Sequence, residues 1–227
     1  MIKMLLAETC EMMRIGFRSV ITSKQIGADI DEAASVAALM THLATRDYDV
    51  LVIEPLLQKG AEETLLRKLH AAFPAVRVLV FTSMSERFFG RRMLRCGVRG
   101  YLTKTCSEDE LALAVERVAL GGMYLSDALM DSLMVQLQSS QPVSLHETLD
   151  EVELEIFSMM ICGQKGREIS AALCMNAKSV SMHKDRIYRK LQIRSFADAV
   201  QYAISQNLIN DCEVKYMSAP STLQETT

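Results

Sequence analysis

The sequence lacks the features that would take a protein out of the cell interior. No apolar run approaches the roughly 18 residues that a membrane-spanning helix needs. The N-terminal segment MIKMLLAETC lacks the long apolar stretch and cleavage pattern of a signal peptide. Six cysteines among 227 residues form no CxxC pair and are too sparse for a disulfide framework. We therefore expect a soluble, cytoplasmic protein with reduced thiols and no membrane partner.

Motifs for catalysis and for metal binding are also missing. The sequence has no glycine-rich phosphate loop, no nucleophile elbow and no paired catalytic carboxylates. His42, His70 and His146 have no partner at metal-ligand spacing, which favours packing or solvent-exposed roles for them. We expect a protein that is not an enzyme and that holds neither a metal nor a cofactor.

The first 120 residues alternate short apolar runs with longer segments whose apolar residues recur every three or four positions. The predicted strands are Ile2–Ala7, Ile26–Ile30, Val50–Ile53, Val76–Phe81 and Gly100–Leu102. The predicted helices are Met12–Ile21, Ala33–Thr45, Glu62–Phe73, Glu86–Arg95 and Glu108–Leu120. Five βα units predict a flavodoxin-like α/β domain whose ligand site lies at the carboxyl ends of the strands. An enzyme that uses this site is the alternative, and bound flavin or nucleotide would reveal it.

The composition changes after Gly121 and Gly122. Residues 121–150 contain four acids but no lysine or arginine, and we expect a helix at Leu125–Leu137 and a hinge at Gln138–Ser144. Helical periodicity then predicts four short helices at 150–162, 165–173, 176–191 and 195–206. Asn176 and Ser195 are the predicted caps of the last two.

One stretch reverses the charge of the chain. Residues 163–194 hold eight lysines or arginines against two acids, a net of +6 in a protein of net -3. Such clustered cations neutralise phosphates and release counterions, which supplies most non-specific affinity for DNA. From charge alone, a solvated helix face is the alternative interpretation.

Three segments in this region carry a family resemblance: LDEVELEIF (149–157), GQKGREIS (163–170) and SVSMHKDRIYRKL (179–191). They resemble, in register, the LuxR/NarL/FixJ-type helix-turn-helix. The matching positions are Gly163, Glu168, Ile169, Leu173, Val180, His183, Ile187, Lys190 and Leu191. The resemblance implies a four-helix, all-α domain whose partner is double-stranded DNA. The third segment also resembles the Rcs-type branch, several members of which are auxiliary regulators that pair with another regulator.

By this resemblance the third helix enters the major groove with its N-terminal half facing the base edges. Ser181, Met182 and Asp185 are then the base-reading candidates. The residues implied to position the helix on phosphates are Lys178, Ser179, His183, Lys184, Arg186 and Arg189. The family often has lysine at the place of Ser181 and a basic residue at the place of Asp185. Asp185 either accepts from cytosine or forms a salt bridge with Lys178, Lys184 or Arg189.

Residues 1–120 resemble the receiver domain of response regulators, through residues that follow the predicted strands. Glu8 and Thr9 follow the first strand, Glu54 the third, Thr82 the fourth, and Lys104, before Thr105, the fifth. A receiver has two acids for Mg²⁺ where this chain has Glu8 and Thr9, and a phosphorylatable aspartate where it has Glu54. The resemblance therefore implies a degenerate receiver. Tyr101 takes the place of the family's aromatic switch residue, and it is either that switch or a packing residue.

Glu54 has two interpretations. Phosphoryl transfer to a carboxylate needs Mg²⁺ held by several carboxylates and an aspartate placed in line, so this chain should bind Mg²⁺ poorly. Glu54 either pairs with Lys104 and accepts from Thr82, holding an active-like arrangement without phosphate, or it is an ionised rim residue of a decayed pocket.

Together the resemblances imply a transcriptional regulator that is independent of phosphorylation. The predicted limits are a receiver-like domain at 1–120, an acidic linker at 121–148, the helix-turn-helix at 149–210 and a partly disordered tail at 211–227. The family usually acts as a dimer, so a homodimer on half-sites about one helical turn apart is expected. The alternative is an auxiliary regulator that acts mainly by heterodimerising with another family member.

Overall fold

The computed structural model describes residues 1–58, 61–138, 144–206 and 208–209, without the side chains of residues 132 and 135–138. The chain divides into two compact units, Met1–Ser140 and Gln141–Thr227. The predicted hinge at Gln138–Ser144 lies largely outside the described residues, and the predicted tail at 211–227 lies wholly outside them.

The first unit is built on a parallel sheet of five strands, as the alternating pattern predicts. They are β1 (Ile2–Ala7), β2 (Ala28–Ala33), β3 (Val50–Ile53), β4 (Arg77–Thr82) and β5 (Gly100–Thr103). Their order is β2-β1-β3-β4-β5, and every neighbouring pair is parallel. β3 is buried along its whole length, as expected for an inner strand covered on both faces. The strand order reverses between β1 and β3, which places a crevice at their carboxyl ends.

The second strand begins and ends later than the predicted Ile26–Ile30. Its sequence ADIDEA contains three acids, which a search for apolar runs passes over. The strand forms because its backbone pairs with β1 along its length and because Arg46 pairs with two of its acids, Asp29 and Asp31. Ala33, predicted to begin the next helix, is instead the last residue of the strand.

Five helices alternate with these strands. They are α1 (Glu11–Ser23), α2 (Val36–Thr45), α3 (Glu62–Ala72), α4 (Glu86–Arg95) and α5 (Glu108–Ala119). α1 and α5 pack together on one face, where Phe17, Phe81 and Val115 are part of a buried cluster. A reciprocal capping box of Ser107 and Glu110 fixes the start of α5. This arrangement confirms the predicted flavodoxin-like α/β fold.

A sixth helix, α6 (Asp127–Gln138), follows α5 and packs on α4. It overlaps the helix predicted at Leu125–Leu137. Its Leu129 side chain is buried, and the helix belongs to the first compact unit. Packing therefore groups α6 with the sheet, whereas composition alone grouped it with the linker.

The second unit contains the four helices predicted for the helix-turn-helix. They are α7 (Glu151–Ile161), α8 (Gly166–Ala172), α9 (Ala177–Leu191) and α10 (Phe196–Ser205). The side chains of Asp150, Asn176 and Ser195 accept backbone N–H groups at the starts of α7, α9 and α10. The predicted caps at Asn176 and Ser195 are thus confirmed. α9 is followed by its C-cap Gln192, which has a left-handed backbone with φ of 57°.

The core of this unit forms where α7 packs on α9. Leu154, Phe157 and Ile161, which recur along one face of α7, are buried. Val180 and Ile187 are buried on α9, so the opposite face of α9 is left for solvent. Across the described part of the chain, no helix has both the length and the apolar composition needed to cross a membrane.

Candidate functional site

Four side chains from different strand ends meet at one edge of the sheet. Glu8 follows β1, Glu54 follows β3, Thr82 ends β4 and Lys104 follows β5. Parallel strands end at the same edge, and hydrogen bonds or ion pairs join these four residues, which we call the Glu54 pocket. Thr9 is exposed beside it, with its hydroxyl 3.4 Å from Glu8 Oε1.

Lys104 bridges the two carboxylates of the pocket. Its Nζ lies 2.5 Å from Glu8 Oε2 and 2.8 Å from Glu54 Oε2. The Thr82 hydroxyl donates to Glu54 Oε1 at 2.7 Å, and the Leu56 N–H donates to the same oxygen at 3.2 Å. Glu8 Oε1 accepts from the backbone N–H of Cys10 at 2.8 Å. Each of the four carboxylate oxygens therefore has a donor within the protein.

The pocket is shielded from water, so its charges interact strongly. The side chains of Glu8 and Glu54 are 5% and 7% exposed, and that of Lys104 is 14% exposed. Burial by itself lowers the pKa of Lys104, but the hydrogen bonds to Glu54 and Glu8 outweigh burial and raise that pKa above its usual value. Lys104 is therefore a permanent cation between two carboxylates.

The receiver resemblance implies Mg²⁺ at this edge of the sheet, and the residues present do not fit that ion. Mg²⁺ needs carboxylate oxygens that are free to coordinate it in near-ideal octahedral geometry. Here Lys104 bonds to both Glu8 and Glu54, and the remaining oxygens accept other hydrogen bonds. Thr9 supplies a hydroxyl where a second carboxylate is expected. The pocket is a closed ion-pair network rather than a metal site.

Tyr101 lies inside the unit and is linked to the pocket through the loop after β4. Its side chain is 1% exposed, and its hydroxyl donates to the Met84 carbonyl at 2.9 Å. The Met84 N–H in turn donates to the Thr82 hydroxyl at 3.2 Å. Burial, with added repulsion from Glu86 and Glu54, raises the pKa of Tyr101 well above its usual value. The tyrosine thus packs as a core residue and also bonds to the loop after β4.

The helix α9 presents the predicted base-reading residues to solvent. Ser181, Met182 and Asp185 are all exposed. The predicted phosphate-binding residues lie around them: Lys178, Arg186 and Arg189 are exposed, while Ser179, His183 and Lys184 are partly buried. The helix-turn-helix packing therefore gives one helix face that carries the predicted readers and three exposed cations.

These three cations and the partly buried Lys184 are unpaired within the described part of the chain. Lys178, Lys184, Arg186 and Arg189 form no ion pair with any residue that the structure describes. The carboxylate of Asp185 likewise has no ion pair within the described ranges, so the predicted salt bridge to Lys178, Lys184 or Arg189 is absent. Among the described residues, Arg189 donates only to the Asp185 backbone carbonyl, at 3.4 Å.

Lys190 differs from those cations because it is bound to the core. Its Nζ lies 2.5 Å from Glu153 Oε2, and the Glu153 side chain is 1% exposed. A ring nitrogen of His183 lies within 4.8 Å of carboxylate oxygens of Glu153 and Asp150, the one such trio in the described residues that could approach a metal ion. His183 Nδ1 is buried there without a hydrogen-bond partner. Glu153 already forms an ion pair with Lys190, and this pair links α9 to the first turn of α7.

Two parts of these sites could not be predicted from the sequence. Glu153 and Lys190 are far apart in sequence, and only the D-x-x-E capping box that begins at Asp150 hints that Glu153 lies at a helix start. The Met84 link between Thr82 and Tyr101 uses backbone atoms, which leave no signal in residue type. The three lone histidines pack against neighbouring residues: His42 contacts Tyr48, His146 contacts Tyr202, and the His70 ring lies against Gly97.

Known proteins resemble the chain along both units. The response regulator receiver domain matches residues 4–116, and the luxR family of bacterial regulatory proteins matches residues 147–203. The oxygen regulatory protein NreC of Staphylococcus carnosus (strain TM300) is 25% identical over 215 residues, which cover 92% of this chain and 99% of NreC. NreC of Staphylococcus haemolyticus (strain JCSC1435) is 26% identical over 215 residues, with the same coverage of both chains.

Solved structures share the fold. The RcsB response regulator of Salmonella typhimurium has a TM-score of 0.54 at 18% identity, covering 90% of this chain and 98% of that chain. A structure of two RcsB dimers bound to two parallel DNAs has a TM-score of 0.53 at 19% identity, with the same coverage. At these identities the likeness concerns the fold alone. The two matched domains in this order establish that the chain belongs to the NarL/FixJ-type response regulators, in which a receiver domain precedes a DNA-binding LuxR-type helix-turn-helix domain.

Proposed function

We propose that this protein is a transcriptional regulator that binds double-stranded DNA as a homodimer and whose receiver works without phosphorylation. The observation that carries DNA binding is that four cations of α9 have no ion-pair partner among the described residues: the exposed Lys178, Arg186 and Arg189, and the partly buried Lys184. Such cations neutralise phosphates without first breaking an internal pair.

The cations of α9 and its three exposed candidate base readers have different roles. Lys178, Lys184, Arg186 and Arg189 bind phosphates and set the orientation of the helix. Ser181 offers a hydroxyl, Met182 an apolar contact and Asp185 an acceptor for cytosine N4. Asp185 also places a negative charge among the cations, which lowers affinity for all DNA. Affinity therefore rests on the cations, and discrimination rests on few groups.

Replacing Lys184 and Arg186 with alanine tests this assignment. Affinity should fall for every DNA sequence, and the slope of log K against log salt should flatten by about one for each lost contact. Fluorescence anisotropy of a labelled duplex at several salt concentrations measures both quantities.

The matched control replaces Arg67 and Lys68 with alanine, because both are exposed on α3 of the first unit and the change in net charge is the same. This control should bind DNA as the unmodified protein does. If affinity and slope are unchanged in the α9 variant, or if the control loses as much, the role assigned to Lys184 and Arg186 is wrong.

The homodimer is supported by RcsB, which is described as dimers bound to DNA. A two-fold dimer presents two α9 helices to half-sites about one helical turn apart. Lengthening the spacer between half-sites by about half a turn, roughly 5 base pairs, should therefore abolish tight binding because one helix then faces the wrong side of the duplex. Restoring a full turn should recover tight binding. An affinity that does not change with the length of the spacer would exclude the dimer.

The Glu54 pocket supports independence from phosphorylation. Lys104 and Thr82 already bind the Glu54 carboxylate, which thus supplies an internal anion where a phosphoryl group would otherwise supply one. The burial of Glu54 and its bonds to these donors favour this interpretation over an ionised rim residue of a decayed pocket.

Acetyl phosphate with Mg²⁺ should leave the intact mass of the protein unchanged and its DNA affinity unaltered. The matched positive control is the double variant Thr9→Asp with Glu54→Asp, which restores the acids that a receiver needs. A stoichiometric acyl phosphate on the unmodified chain would refute the proposal.

Glu54→Gln removes the ion pair to Lys104 and should weaken DNA binding, whereas a vestigial Glu54 would leave the DNA affinity of this variant unchanged.

The second candidate function is that of an auxiliary regulator which pairs with another family member. Ser181 and Asp185 favour it, because both lie on the exposed reading face and neither supplies the cation that is common there. If this second function is right, the purified protein alone should bind DNA only non-specifically and with strong dependence on salt. Tight binding to one promoter sequence by the purified homodimer would exclude it.

A further inference from the structure

Three side chains with metal-ligating atoms converge where α9 packs against the start of α7. Asp150 caps α7, Glu153 lies in the first turn of α7, and His183 lies on α9. One ring nitrogen of His183 and one oxygen of each carboxylate lie within 4.8 Å of one another. Asp150 is exposed, whereas Glu153 is buried and His183 is partly buried, so solvent reaches the group from the side of Asp150. We call these three residues the Asp150 trio.

Each member of the trio keeps one atom that no other group of the described chain occupies. Asp150 Oδ1 accepts from the Glu153 N–H at 2.8 Å, and Glu153 Oε2 accepts from the Asp150 N–H at 2.9 Å. The second oxygen of each carboxylate forms no hydrogen bond or ion pair with any described residue. His183 Nδ1 is buried and likewise has no hydrogen-bond partner there. The two capping bonds therefore fix both carboxylates and leave one oxygen of each for a ligand.

The Asp150 trio differs in this respect from the Glu54 pocket. In the pocket every carboxylate oxygen has a donor, and Lys104 bonds to both acids. In the trio, Lys190 bonds to Glu153 Oε2 and forms no ion pair with Asp150. A hydrogen bond to the outer oxygen of a ligating carboxylate is a normal feature of metal sites. Lys190 thus leaves the trio able to bind a cation, whereas Lys104 closes the pocket.

Charge and donor type indicate which cation fits. Two carboxylates face one ammonium, so the group keeps an excess negative charge, and the buried His183 nitrogen lacks a partner. One imidazole with two carboxylates suits Zn²⁺, which takes three protein ligands and leaves the fourth position to water. Zinc bonds of about 2.0–2.2 Å place tetrahedral ligand atoms about 3.4 Å apart. Rotation of the exposed Asp150 side chain and of the His183 ring supplies this small contraction.

We propose that the Asp150 trio binds Zn²⁺ and that the ion fastens α9 to the start of α7. The ion and Lys190 are then two cations that act on the same buried carboxylate, one on each oxygen of Glu153. The site lies within the second unit, and it holds whether or not α9 reads DNA. The expectation from sequence that the chain holds no metal rests on histidines outside the trio, because spacing along the chain does not show that His183 folds against Asp150 and Glu153.

Titration of the full-length protein with Zn²⁺, in competition with a chromophoric indicator, measures the Kd of the site. His183→Gln and Asp150→Asn should each weaken binding by at least about tenfold, because each removes a ligand. Asparagine still caps α7, so the loss in that variant does not come from the helix start. Lys190→Met should tighten binding by about tenfold or more, because the ammonium no longer repels the ion. A Lys190 that serves the site only by holding the fold would instead make this variant bind more weakly.

Two controls separate the trio from other groups that bind zinc. His70→Gln removes an exposed imidazole from α3 of the first unit and should leave the Kd unchanged. Co²⁺ replaces Zn²⁺ in a second titration, because its visible absorption distinguishes thiolate ligands from nitrogen and oxygen ligands. Thiolate bands would assign the ion to the exposed cysteines, Cys10, Cys162 and Cys174, and would overturn the proposal.

The melting temperature gives a second measure of the same site. Zn²⁺ should raise it in the unmodified protein, because a ligand that binds the folded state stabilises that state. The rise should disappear in His183→Gln and Asp150→Asn, which change residues that are not fully buried and so decide the test even if Lys190→Met does not fold. No zinc binding by the unmodified protein, or equal binding by these two variants, would show that the trio is only a capping and ion-pair cluster.

Discussion

Replacing Lys104 with methionine should destabilise the first unit far more than replacing Lys24 with methionine. The two lysines form ion pairs of similar length: Lys104 Nζ lies 2.5 Å from Glu8 Oε2, and Lys24 Nζ lies 2.5 Å from Asp109 Oδ1. The acids differ in exposure, since the Glu8 side chain is 5% exposed and that of Asp109 is 87% exposed. Burial, not distance, therefore decides the energetic difference.

The size of each loss in stability follows from the carboxylates that the substitution leaves without a cation. Methionine keeps the apolar stem of Lys104 but removes the charge, so Glu8 and Glu54 are left as two buried carboxylates without a cation. Removing one partner of a buried ion pair costs about 3–5 kcal/mol, which is a large part of the total stability of a domain. At Lys24 the carboxylate that is left faces water, and exposed pairs contribute little.

Differential scanning calorimetry of the full-length variants, with far-UV circular dichroism because the chain has no tryptophan, measures the loss. The Lys104→Met loss should shrink as the pH falls from 7 towards 4, because protonation neutralises the unpaired carboxylates. In the unmodified protein the raised pKa of Lys104 determines how stability responds to alkaline pH. Its stabilisation is complete below the ordinary value of 10.5 and is lost as the pH rises through the raised value.

Equal losses in the Lys104 and Lys24 variants would contradict the buried ion-pair network. So would a Lys104→Met loss that does not change with pH. A double variant, Lys104→Met with Glu54→Gln, removes one of the stranded charges and should recover part of the lost stability. If it recovers nothing, the destabilisation comes from packing rather than from charge.

Three further variants test features outside the Glu54 pocket. Burial raises the pKa of Glu86 above 4.5 although its bond to Ser126 acts the other way, so the contribution of Glu86 to stability falls as the pH rises above 4.5. Glu86→Gln should then raise the melting temperature at pH 7 and leave it unchanged near pH 4. Asn176→Ala removes the cap of α9 and should cost about 1 kcal/mol, whereas Asn176→Ser should cost little. Tyr202→Phe removes the hydroxyl that bonds to the buried His146 at 2.9 Å and 3.0 Å, and a loss of about 1–3 kcal/mol in urea unfolding is expected.

Periodicity and caps predicted most of the fold because the relevant signals are local. The inner strand β3 is a continuous apolar run, and Asn176 and Ser195 mark helix starts by side-chain chemistry. The edge strand β2 was misplaced because its stability comes from pairing with β1 and from Arg46, which lies outside the strand. Interactions that are distant in sequence override the local pattern there.

The candidate sites show the same division. The residues of the Glu54 pocket could be predicted because a parallel sheet gathers the ends of its strands at one edge. The pairing of Lys104 with Glu54 was one of two predicted alternatives, but the second bond of Lys104, to Glu8, could not be predicted, since the sequence does not reveal how far each side chain reaches. The close packing of Leu129 on α6 against Gly90 on α4 could not be predicted either, because a glycine that allows close helix packing looks the same in sequence as one in a turn.

The Lys104–Glu54 ion pair has a consequence for the time course of gene control. A phosphoryl group is added to and removed from a finished protein, whereas Lys104 and Glu54 are present in every molecule from the moment it folds. On the proposed function, the number of active regulators equals the number of folded chains. The output then changes only as fast as synthesis, proteolysis and dilution by cell growth change that number, so the promoter that drives this gene sets the timing of its targets.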